Sequence, residues 1–192
     1  MCKQCEKNPV YEFTNQRKLC ARCFIRYFQK KVFYIIRKFK MIKKDDVIGY
    51  ENKGDFRGVV IEDVLRGFAE KAMIELVKLP NRRKTNKIAI TSTIDLESNK
   101  IINSLIYDKL NKLKEVSPVE KINNQTFIKP LYLFLDEEVL LYAKLKRLKF
   151  LKKQKLPKNK VFEFINELEK KHPEIKRAIV NTYLKLYKPK MN

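Results

Sequence analysis

The chain has 192 residues, with 44 Lys+Arg against 22 Asp+Glu and a formal charge of +22. A hydrophobic content of 44% is enough for a packed core and excludes wholesale disorder. Four scattered glycines (Gly49, Gly54, Gly58, Gly67), one histidine (His172) and no cysteine after Cys23 leave little material for a glycine-rich phosphate loop or for Ser/His/Asp or Cys/His catalysis.

The N-terminus opens on Cys2-x2-Cys5, with no apolar run of the signal-peptide kind, and no stretch of about 18 apolar residues follows anywhere. A cytoplasmic protein is the expectation. There, paired cysteines more often bind metal than form disulfides. Cys2, Cys5, Cys20 and Cys23 form two CxxC knuckles separated by 14 residues. Each knuckle brings two thiolates to one tetrahedral ion, so the spacing predicts a single structural Zn2+ with no open position. Two disulfides or an iron–sulfur cluster are the alternatives. Val10–Phe13 and Lys18-Leu19 around Thr14-Asn15-Gln16 predict the hairpin that joins the knuckles.

Phe24, Tyr27, Phe28, Val32, Ile35, Ile36 and Phe39 recur at helical steps, predicting an amphipathic helix over 21–42. The aromatic stripe reads as core rather than as a base-stacking platform, and the basic face opposite is the nucleic-acid candidate. Val47–Glu51 suits a short strand and Asn52–Asp55 a turn. Val60, Val64, Phe68, Ala72, Leu76 and Leu79 fall on one helical face, predicting a helix over 59–79 stopped by Pro80. Further expectations are a strand at Ile88–Ile90, a helix over 98–113, a strand at Phe127-Ile128, and helices over 136–148, 161–172 and 174–187. Strands alternating with helices predict an α/β fold with a parallel sheet of two to four strands. The boundaries read as 1–44 for the zinc ribbon and basic helix, 45–150 for the α/β unit and 151–192 for a helical C-terminus.

Charge follows this division. Residues 1–44 carry net +11, residues 45–80 net −3 and residues 81–192 net +14. Two basic blocks around a mildly acidic middle point to a polyanion partner. The candidate RNA-binding residues are Arg17, Lys18, Arg22, Arg26 and Lys30 in the first block. In the second they are Lys144, Lys146, Arg147, Lys149, Lys152, Lys153 and Lys155. Four thiolates and Zn2+ add −2 locally, so the first block stays at about +9 with metal bound.

Four segments in order carry a resemblance. They are Cys2-x2-Cys5 with Leu19-Cys20-Ala21-Arg22-Cys23-Phe24; Ile88-Ala89 through Asp95 to Leu105; Ile128-Lys129-Pro130-Leu131 with Glu138-Val139-Leu140-Leu141-Tyr142-Ala143; and Phe164–Pro173. Together they resemble the cytosolic tRNA 2-thiolation proteins, PP-loop ATPases of the 2-thiouridine synthetase group. The resemblance implies a Rossmann-like, PP-loop-derived sheet between a zinc ribbon and a helical end. The departures point away from activity. The SGGxDS loop is missing, and the space between Asp46 and residue 59 reads as too short for the usual first strands. Ser92 and Thr93 stand where a His-Asn pair is expected, Leu96 replaces a second Asp, and the core cysteines are gone. The implied function is a non-catalytic subunit of a tRNA wobble-uridine thiolase that binds tRNA and pairs with the catalytic homologue. Residues 59–79, with Met73 and Ile74, are the expected part of that interface. A stand-alone zinc-ribbon RNA-binding protein is the alternative, and an active thiolase with an unusual site a third class.

Overall fold

The computed structural model describes residues 1–151 and 159–187. Strands β1 (Tyr11–Glu12) and β2 (Lys18–Leu19) form the expected hairpin, and α1 (Ala21–Lys38) leaves the second knuckle directly. Then come β3 (Val47–Glu51), α2 (Phe56–Ala69), β4 (Glu75–Leu79), β5 (Lys87–Ala89) and α3 (Ile94–Ile106). A 3-10 helix (Leu110–Val116), β6 (Val119–Ile122), β7 (Gln125–Ile128), α4 (Asp136–Leu145), α5 (Lys160–Lys171) and α6 (Ile175–Leu186) complete the described chain.

The fold is α/β, with a five-stranded sheet in the order β4-β3-β5-β7-β6. β3 pairs in parallel with β4 and β5, and β5 with β7, whereas β6 joins β7 antiparallel. The sheet is therefore larger than the two to four strands expected, and two strands account for the difference. β4 lies inside the segment expected as the end of a helix. The four-residue repeat from Val60 to Leu76 is equally a period of two, and the helix stops at Ala69. Met73, at φ +37, then turns the chain into the strand. β6 returns into β7 through Asn123 and Asn124, both with positive φ, the two-residue hairpin turn that asparagine tolerates.

The third helix starts at Ile94, four residues earlier than expected, and its continuation tightens into 3-10 geometry. Behind the expected strand and four-residue turn, α2 starts at Phe56, three residues earlier than expected. Gly54, at φ +79, makes that turn. Asp55 then caps α2 by accepting from the Gly58 N–H at 2.9 Å.

One hydrophobic cluster runs from Cys2, Leu19 and Cys20 through α1 to the sheet, α2 and α4. Phe28 joins the four-cysteine module to the α/β unit, with its ring 4.1 Å from those of both Phe134 and Tyr142. A second cluster packs α3, the 3-10 helix and α6 around Tyr132 and Tyr183. Because β3 connects outward to β4 and β5 outward to β7, right-handed crossovers place α2 and α3 on opposite faces. Their N-termini meet at the carboxyl edge of the sheet.

Candidate functional site

The four cysteines meet at one point. Cys5 Sγ lies 3.8 Å from Cys2, 3.4 Å from Cys20 and 3.6 Å from Cys23, and all four sulfurs fall within 4.8 Å of one another. None is in a disulfide, which removes that alternative. The backbone N–H of Gln4 aims at Cys2 and holds its thiol down at about 6; that of Cys23 lowers Cys20 in the same way. Such N–H···S contacts favour thiolate at Cys2 and Cys20, the form that ligates metal, whereas burial and the neighbouring sulfurs push the Cys23 thiol up to about 12 when no cation sits among them. The donor set therefore fits a metal ion held by four protein ligands, with no position open for substrate.

The second site is the crevice outside the carboxyl ends of β3 and β5. The strand order places the topological switch point of the sheet there, where open α/β folds bind their ligands. Three helices start at this edge, α2 after β3, α3 after β5 and α4 after β7, so three positive dipole ends face it. The protein fills the place with its own side chains. Asp136, at the start of α4, accepts Arg57 Nε at 2.7 Å, a second bond from Arg57 Nη2, and Thr93 Oγ1 at 2.8 Å. Asp95 accepts the Asp136 N–H at 2.7 Å and Lys176 Nζ at 2.7 Å. Lys176 also reaches Glu169 at 2.6 Å. The turn itself, Asn52-Lys53-Gly54-Asp55, spends its groups locally. Asn52 Oδ1 takes the Gly54 N–H at 2.8 Å, and a Cβ added at Gly58 would sit 2.9 Å from Asn52 Oδ1 and 3.0 Å from Asp55 Oδ1. Asp95 and Asp136 thus stand at the starts of α3 and α4, bonded to Lys176 and Arg57.

Two further residues from the four resembling segments are structural. Lys129 is fully buried and bonds Glu97 Oε1 at 3.2 Å and the Glu115 carbonyl. Glu138, also fully buried, accepts the Leu135 N–H at 2.9 Å and Arg177 at 3.0 Å, and faces Lys31 of α1 at 3.6 Å. It thus ties α1 to α4 and α6. Arg57, Lys176, Arg177 and Glu138 were not singled out chemically from sequence. Arg57, Glu138 and the Lys176-Arg177 pair are separated by tens of residues, and no local spacing points to their contacts.

Three of the five candidates in the first basic block share one face of α1. Arg22, Arg26 and Lys30 are exposed along α1 at successive four-residue steps. Like charges at that spacing cost a helix about 0.2–0.5 kcal/mol per pair. Arg17 is engaged elsewhere, stacked 4.1 Å from the Phe13 ring and 5.0 Å from that of Tyr27, and Lys18 pairs with Glu12 at 3.2 Å. In the second block Lys144, Arg147 and Lys149 are exposed, while Lys146 faces Asp63 at 3.5 Å. Lys152, Lys153 and Lys155 lie outside the described residues. The residues expected at a partner interface, Met73 and Ile74, take different environments. Met73 is exposed in the turn before β4, and Ile74 leans on the main core. A separate apolar groove of about 400 Å³ lies between α3 and α6, rimmed by the exposed Leu105, Leu186 and Tyr187.

No protein-family model and no curated protein matches the chain. Among solved structures it is similar to the U34-tRNA thiolase NcsA from Methanococcus maripaludis, described with its [4Fe-4S] cluster. The TM-score is 0.78 at 18% identity, over 98% of this chain and 87% of that one. The fold is thiolase-like. No helix among the described residues is long and apolar enough to cross a membrane.

Proposed function

We propose that this chain is a non-catalytic subunit of a tRNA wobble-uridine 2-thiolation assembly, binding tRNA and a catalytic PP-loop homologue. The observation that carries the proposal is the crevice at the switch point of a thiolase-like fold. Where a nucleotide would meet three helix N-termini, Asp136 and Asp95 already serve as the anions and Arg57 and Lys176 as their counter-charges. Adenylation needs backbone N–H groups around the leaving pyrophosphate and a free counter-charge. Here those groups are committed to one another. Sulfur transfer needs a thiolate or a cluster, and the four cysteines of the chain all meet in the N-terminal module.

The ion in that module is, on this reading, Zn2+. Thiolates at about 2.3 Å from a tetrahedral ion stand about 3.8 Å apart, close to the 3.4–3.8 Å separations about Cys5. A four-iron cluster takes one thiolate per iron and spreads its ligands farther. The proposed partner covers the groove between α3 and α6. A net charge of +22 opposes self-association, and the exposed Lys112 and Lys185 belong to the 3-10 helix and α6, which both contribute to the groove lining. The fitting partner therefore has an apolar ridge with an acidic rim.

Co-expression with the catalytic homologue, followed by native mass measurement, tests the proposal. A one-to-one complex that dissociates in a Leu105→Asp/Leu186→Asp variant is expected. Recovery of the chain with RNA alone would instead support a stand-alone RNA-binding protein.

A further inference from the structure

The exposed face of α1 is not uniformly charged. From Ala21 to Lys38 the helix carries Arg22, Arg26, Lys30, Lys31, Arg37 and Lys38 and no acidic residue. Two tyrosines interrupt the cations. Tyr34 is 52% exposed, and Tyr27 is half-buried about two helical turns before it. Together with Gln4 of the first knuckle they line a groove of about 610 Å³, whose remaining walls are Arg26, Lys30 and Lys31. The apolar stripe of the same helix, Phe24, Phe28, Val32, Ile35 and Ile36, is spent on the core. Tyr34 is therefore not a core residue that happens to reach the surface. It is an aromatic ring held out on a rigid helix among cations.

Glu138 is the acidic residue against this wall, and it is fully buried behind Lys31, which it faces at 3.6 Å. Arg26 and Lys30 thus keep their charge for a ligand. A cationic track with an accessible aromatic ring in it is the arrangement that takes single-stranded nucleic acid: phosphates on the cations, a base on the ring. A duplex offers the phosphates but not an unstacked base.

We propose that the α1 groove holds an unpaired nucleotide, its base stacked on Tyr34 and its flanking phosphates on Arg26 and Lys30. The proposal rests on the RNA-binding reading above and narrows it from tRNA shape to an unstacked base. Tyr27 and Gln4 close the groove at the knuckle end, so the metal module positions the platform without touching the base.

The test uses the full-length, metal-loaded chain and a labelled short oligouridylate, a hairpin duplex of equal charge, and unfractionated tRNA, each over a salt series. Tyr34→Ala is expected to weaken oligouridylate binding roughly five- to a hundredfold, the span of one base stack, with the log–log salt slope unchanged, because no phosphate contact is lost. Tyr34→Phe should bind as the wild type does. Arg26→Glu/Lys30→Glu should lower the slope itself. Tyr34 is exposed, so these variants are expected to fold, and the Phe variant controls for fold in any case. Wild-type oligouridylate affinity in Tyr34→Ala overturns the groove, as does an equal loss on the duplex. Poly-glutamate competing as well as RNA would also overturn it, since the groove would then be a general anion site. If Tyr34-dependent oligouridylate binding is seen but tRNA binds no better than the duplex, the groove stands and the tRNA reading falls. Tight tRNA binding that ignores Tyr34 gives the reverse.

Discussion

Arg57 and Asp136 meet as a two-pronged ion pair, Nε to Oδ1 at 2.7 Å with a second bond from Nη2, across 79 residues of sequence. One is the second residue of α2 and the other the first residue of α4. The pair therefore joins two helix starts at the carboxyl edge of the sheet. Its burial makes it sensitive to loss of one partner only. Arg57→Ala would leave Asp136 buried beside Asp95 without its main counter-charge, at a cost of about 3–5 kcal/mol. An Arg57→Met/Asp136→Leu double variant removes both charges and should recover most of that loss. Urea unfolding of the two variants against wild type measures it. Equal destabilisation by both would show that shape rather than charge is at stake.

The same pair forecasts the behaviour with nucleotide. The purified chain is expected to release no AMP from ATP, with or without tRNA, because Arg57 and Lys176 are bonded to Asp136 and Asp95 and the turn at Gly54 keeps its own N–H bonded to Asn52. The measurement is AMP and pyrophosphate release by chromatographically pure protein. Turnover that disappears in an Asp95→Asn variant would place an active site in this crevice.

Metal removal should act on the core as well as on the N-terminus. Cys2 and Cys20 are buried within the cluster that continues through Leu19, Phe24 and Phe28, so losing the ion exposes thiols at the end of α1. A strong chelator is expected to release one zinc per chain, make four thiols titratable and lower the thermal midpoint by several degrees, since folding of such modules is coupled to their metal. Cys20→Ala should bind no metal. Iron with sulfide in the isolated protein would assign the site to a cluster instead.

Local signals made the hairpin, α1 and the last three helices legible in the sequence. The CxxC spacing, a strict apolar stripe from Phe24 to Ile36, and caps such as Asn159, whose side chain accepts the Phe162 N–H, all act within a few residues. β4 was not legible. Its apolar positions continue the repeat of the preceding helix, and only the positive φ at Met73 separates them. β6 has two exposed residues of four and gains its stability from β7. The metal centre was legible because its four ligands lie within 22 residues. The crevice was not, because Arg57, Thr93, Asp95, Asp136 and Lys176 are brought together only by the sheet order.

Lys31 offers a test of how α1 is fastened to the rest of the chain. Its ammonium faces Glu138 at 3.6 Å and lies 4.4 Å from the centre of the Phe134 ring. Glu138 is shared with Arg177 at 3.0 Å. Burial outweighs this attraction and lowers the Lys31 ammonium to about 8. The sign of the pH effect follows from proton counting. Below about pH 8 both folded and unfolded chains hold the proton, and nothing changes with pH. Between about pH 8 and 10.5 the unfolded chain still holds it while the folded chain has released it, so the contribution of Lys31 to stability rises with pH. Tyr27, raised to about 12 by burial, lowers stability from about pH 10 upward, but it is common to both proteins compared. A Lys31→Met variant lacks the titration. The stability of wild type relative to Lys31→Met should therefore increase by about 1–2 kcal/mol from pH 7.5 to 10, read from urea midpoints across the range. A difference that stays flat would mean that Glu138 keeps Lys31 charged throughout, making the contact between α1 and α4 a full ion pair.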